Sequence, residues 1–155
     1  MRLSCQIKTL LKLTKKEATV VQLRYFIHHL LFDTTPPVGG DQGPSPKAVM
    51  LSTILGCSGM DVAGLLRKYR MQPSRFHMTA DATPRAEHPK IFPRIDVTFE
   101  IDGEGLDHAK IIEAVGLSMT RYCGVSAMIA PTSPIHYQVL VNGRKISEGV
   151  AQFAE

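Results

Sequence analysis

From Ala48 to Met60 the chain reads Ala-Val-Met-Leu-Ser-Thr-Ile-Leu-Gly-Cys-Ser-Gly-Met, without one charged side chain. Apolar residues fall on nearly every helical face of that run, so a helix built from it needs cover on all sides. Its start is marked. Ser45 suits the N-cap and Pro46 the first helical position. Charge returns at Asp61, Arg67, Lys68 and Arg70, which predicts a solvated far end near Tyr69. Gly56, Gly59 and Gly64 weaken the helix but let a neighbour approach closely. The spacing thus predicts a buried helix over residues 46–69, and every other element has to be arranged around it.

Around this helix the pattern is mostly that of strands. Residues 1–35 read as N-terminal strands, with Lys15-Lys16-Glu17 at a hairpin tip and a β-branched cluster at Ala18-Thr19-Val20-Val21. A helical reading of the same stretch stays open. Asp33 to Ser45, rich in Pro and Gly, is a loop. Arg75–Thr83 and Arg94–Ile101 alternate; in the second, Ile95, Val97, Phe99 and Ile101 share one face. A second helix starts near Asp107, a plausible N-cap, and carries Ile111, Ile112, Val115, Met119 and Cys123 as its stripe. Gly124 marks an end or a restart. Asn142-Gly143 joins the runs Ile135–Val141 and Arg144–Val150 as a hairpin. The order predicts an α+β class and one domain over residues 1–155, with strands and the second helix in 73–155.

Composition removes several functions. The 155 residues carry a net charge of +4, with dispersed cations, no Trp and few aromatics. A nucleic-acid partner is therefore not expected. Lys8 and Lys12 interrupt any leader-like apolar run, and no uncharged run approaches the roughly 18 residues of a membrane span. The chain is read as soluble and cytoplasmic, without a membrane partner. The six histidines and three cysteines lack the spacing of a metal site or a CxxC pair, so no metal or other cofactor is expected.

The cysteines are Cys5, Cys57 and Cys123. Cys5 lies near the terminus in no motif. Composition and spacing alone make Cys57 and Cys123 small buried hydrophobes. Their neighbourhoods point elsewhere. Gly43-Pro44-Ser45-Pro46, a helix to Gly56-Cys57, then Asp61, and later Ser118-Met119-Thr120-Arg121-Tyr122-Cys123-Gly124-Val125 with Asn142-Gly143, resemble the OsmC/Ohr superfamily of osmotically inducible and organic-hydroperoxide-resistance proteins. The resemblance covers residues 36–143. The Gly-Cys-x-x-x-Asp form is more similar to its OsmC-like branch.

The resemblance implies an intertwined homodimer with antiparallel sheets packed around a long central helix. It implies Cys57 as the thiolate that attacks a hydroperoxide and Cys123 as the thiol that resolves the sulfenic acid to a disulfide. A dithiol reductant would then restore the pair. The peroxidase branch has a Glu directly after the motif proline, where this chain has Lys47, and an Arg in an early hairpin, where Lys15 and Lys16 stand; Arg24 lies one strand on. The expectation is a thiol-dependent redox protein. A non-catalytic dimeric scaffold or small-ligand binder with packed thiols is the alternative.

Overall fold

A computed structural model describes residues 21–25 and 28–154. Cys5 and the hairpin tip read at Lys15-Lys16-Glu17 lie outside the described residues. The chain forms two compact units, residues 1–50 and 51–155.

In the first unit, β1 (Val21–Tyr25) and β2 (His28–Phe32) pair antiparallel, from Val21↔Phe32 to Tyr25↔His28. Two strands thus fall within the apolar stretch from Thr19 to Phe32. No Gly, Pro, Asn or Asp stands between them to announce the division. The loop after β2 is organised by Asp33, whose buried carboxylate accepts backbone N–H groups of Thr34, Gly40 and Gln42 at 2.7, 3.1 and 2.8 Å. The Gln42 and Thr34 bonds hold this carboxyl below its ordinary pKa against the effect of burial, with Gly40 adding to them. Gly39 is required there, since a Cβ would meet the Thr34 carbonyl oxygen at 1.9 Å. The loop runs into α1 (Pro46–Lys68), where Ser45 Oγ accepts from Ala48 N at 3.3 Å as the expected cap.

The second unit holds the rest of α1 and a four-stranded sheet in the order β3 (Arg75–Asp81), β4 (Ile95–Asp102), β5 (Ile135–Val141), β6 (Arg144–Val150). Its outer pairs are antiparallel, as expected. The central pair, β4 with β5, is parallel. A parallel pair needs a long crossover, and the helical segment between these strands supplies it. That segment is α2 (His108–Leu117), a π-helical turn (Ser118–Tyr122) and α3 (Gly124–Ile129). Asp107 caps α2 by accepting from Lys110 N at 3.2 Å.

Strand β4 is the centre of the core. Ile95, Val97, Phe99 and Ile101 are all buried, as their alternation requires. Ile135, Val139 and Val141 of β5, and Ile111, Ala114, Val115 and Met119 of the helical segment, complete it. The β5–β6 turn has Asn142 and Gly143 at φ 49° and 75°, the left-handed backbone that Asn-Gly favours. The Asn142 side chain also bonds Gly103 N and O at 2.9 and 3.0 Å, tying this turn to the end of β4.

Helix α1 differs from the reading of burial on all sides. Within one chain only the stripe Ile54, Ser58, Val62 and Leu66 is buried. Gly59 makes the expected close approach, with a built Cβ 3.1 Å from Met78 Sδ of β3. The opposite stripe, Gly56, Met60 and Gly64, is exposed, Met60 to 76%. By length and composition α1 would also suffice to cross a membrane, with a mean hydropathy of 1.6 over its most apolar window. A core helix passes the same test, and the buried stripe is what a core helix shows.

Candidate dithiol site

Cys57 and Asp61 stand one turn apart on α1, at i and i+4, so their side chains share a face beside the buried stripe. Both are half-buried. Cys123 arrives from the helical segment. In the preceding π-turn each backbone bond spans one more residue than in an α-helix, and Cys123 N donates to Ser118 O at 3.0 Å. At φ −72° and ψ 94° Cys123 then leaves the helix and becomes the N-cap of α3, its Sγ accepting from Ser126 N at 3.4 Å. The restart read at Gly124 is found there, and Cys123 is fully buried.

These elements bring Cys57 Sγ, Cys123 Sγ and a carboxylate oxygen of Asp61 within 4.8 Å of one another. Both cysteines are free thiols. A shift of less than about 3 Å through side-chain rotation would bring the sulfurs to the roughly 2.05 Å of a disulfide. Burial pushes the Cys123 thiol up; the Ser126 hydroxyl and N–H pull it down; Cys57 pushes it up again through a hydrogen bond and its charge. Cys123 is therefore the partner kept protonated, while the half-buried Cys57 is the one open to solvent.

Both cysteines singled out in the sequence thus meet. Asp61, Ser118 and Ser126 join them without having been singled out as site residues. Ser118 Oγ donates to Asp61 Oδ2 at 3.1 Å and is itself fully buried. The Cys57–Asp61 spacing was a usable signal, being one helical turn. The Ser118–Cys123 relation was not, because five residues meet only where the helix widens to a π-turn.

A mixed sheet whose central parallel pair is joined by a helical crossover, with a dithiol where that crossover meets a long helix, defines an α+β dithiol protein. The chain belongs to the OsmC-like protein family, whose pattern matches residues 39–138. Protein YhfA of Escherichia coli K12 is 33% identical over 102 residues, covering 66% of this chain and 74% of YhfA. Among solved structures, an OsmC-like protein from Mycoplasma pneumoniae superposes with a TM-score of 0.74 at 14% identity, covering 91% of this chain and 99% of that one. The organic hydroperoxide resistance protein OhrB of Bacillus subtilis does so with 0.58 at 16% identity, covering 80% and 91%. At these identities the two structures establish the shared fold.

Proposed function

We propose that the protein is a cysteine-based reductant of hydroperoxides. The observation that carries this is the pair of free sulfurs within 4.8 Å, one half-buried and one fully buried and held protonated. The kinship with a structure named for organic hydroperoxide resistance supports the substrate class. Cys57, as thiolate, attacks the terminal peroxide oxygen. A sulfur–oxygen bond forms as the O–O bond breaks, and the alkoxide leaves as the alcohol after taking a proton. Cys57 is then a sulfenic acid. The Cys123 sulfur attacks it, losing its proton, and the hydroxyl leaves as water. An external dithiol returns two electrons and two protons. Such a cycle suits the cytoplasm, where thiols are kept reduced.

One equivalent of cumene hydroperoxide added to reduced protein tests this. The expected result is loss of both Cys57 and Cys123 thiols and a Cys57–Cys123 disulfide in the peptide map, with Cys5 unmodified. An unmodified Cys57 beside a modified Cys5 would overturn the redox reading and leave the scaffold alternative.

The functional unit is a homodimer built on α1. Gly56, Met60 and Gly64 form an exposed stripe at i, i+4 and i+8, opposite the buried one, with open space at both glycines among the described residues. Such a face needs cover, and small residues allow a second helix to approach. Met60→Asp places an unpaired carboxylate in that contact and should weaken association by about 3–5 kcal/mol. Sedimentation would show dimer for the parent and monomer for the variant. A parent that is monomeric at micromolar concentration would remove the dimer.

A further inference from the structure

Cys57, Asp61 and Cys123 present two sulfurs and a carboxylate oxygen within 4.8 Å of one another, two from a single helical turn and one from the crossover segment. Tetrahedral zinc places two thiolate sulfurs about 3.8 Å apart and a sulfur and a carboxylate oxygen roughly 3.5 Å apart, so a contraction of at most about 1.3 Å through side-chain rotation would seat the ion. Two of the three groups have a fully buried serine behind them. Ser118 Oγ orients Asp61 by donating at 3.1 Å. Ser126 lies against Cys123, donating its N–H to the sulfur at 3.4 Å, with its buried hydroxyl beside the same sulfur. A metal-bound thiolate would be a stronger acceptor for that hydroxyl than the thiol, the kind of outer support that holds metal ligands in place.

We propose that the reduced protein binds one Zn²⁺ through Cys57 Sγ, Cys123 Sγ and an Asp61 carboxylate oxygen, with the fourth position left to water. Sulfur donors with a single carboxylate favour zinc over hard cations such as Mg²⁺ or Ca²⁺. Binding moves no electrons: two thiols give up two protons as two metal–sulfur bonds form. Metal-bound sulfurs are not available to become a disulfide, so zinc and oxidation compete for the same atoms. With a hydroperoxide as oxidant, the zinc dithiolate and two protons yield the disulfide, free Zn²⁺, the alcohol and water. That competition rests on the redox reading; the metal site itself does not.

Titrating the reduced full-length protein with Co²⁺ under anaerobic conditions tests the site. The expected result is saturation at one equivalent per chain, with a thiolate-to-cobalt charge-transfer band and the intense visible bands of a tetrahedral ion, both erased by Zn²⁺. Cys57→Ser and Cys123→Ser should lose most of the charge-transfer intensity. Asp61→Asn should weaken binding at least tenfold, and Cys5→Ser should leave it unchanged. In the parent protein, which needs no variant to fold, one equivalent of Zn²⁺ should slow alkylation of Cys57 at least tenfold. Absence of the charge-transfer band, unchanged affinity in Asp61→Asn, or undiminished alkylation would overturn the site. A protein that binds cobalt in this way but consumes no hydroperoxide would keep the metal site and remove the redox reading.

Discussion

Cys57→Ser should abolish hydroperoxide consumption, with a fall in kcat/KM on the order of 10³-fold or more, the scale seen when a nucleophile is removed from a site whose members act together. A hydroxyl in place of the sulfur offers no thiolate, and the thiolate is the attacking species. Cys123→Ser should behave differently. Cys57 can still be oxidised, so one turnover should occur and the sulfenic acid should persist, detectable as a dimedone adduct by mass spectrometry. The contrast follows from placement: Cys57 is half-buried on α1, whereas Cys123 is fully buried at the N-cap of α3. Equal, complete loss of the first turnover in both variants would contradict this order of events. So would full activity in Cys57→Ser.

Phe99→Ala should lower the stability of the fold by about 3–5 kcal/mol, the range for truncating a fully buried aromatic side chain. Phe99 has no solvent exposure and sits in β4, paired with Met78 of β3 and Val139 of β5. Its ring meets Tyr137 edge-on, with centroids 6.4 Å apart and planes at 88°. Truncation removes both the burial and that ring contact, and leaves a cavity in the middle of the sheet. Since native stabilities are commonly about 5–15 kcal/mol, the loss is a large share of the total. Urea denaturation would show a lower midpoint at unchanged slope. A loss below about 1 kcal/mol would mean that β4 is not the core strand.

Much of the fold was legible because it is local. Ser45-Pro46 and Asp107 start helices through bonds to N–H groups within one turn. Asn142-Gly143 accepts the positive φ values that a tight hairpin demands. Ile95 to Ile101 alternates because a strand with one buried face must. Each of these depends on neighbours a few residues away, and the residues themselves carry the information. The division of β1 from β2 was not legible, since no turn residue marks it.

The site divides along the same line. An α+β chain with a long uncharged helix carrying Cys57, a second helical region ending at Cys123, and the resemblance that singled the two out can all be read from the residues in order. Tertiary packing brings the two sulfurs and Asp61 together and puts Ser118 and Ser126 behind them. It also made the central strand pair parallel and left one stripe of α1 uncovered in a single chain. Range explains the difference. Caps, turns and alternation are set by bonds within a few residues, whereas the Cys57–Cys123 approach depends on a crossover whose course is set by packing α2 against β5 and β6, and on a π-turn that widens the helix before Cys123.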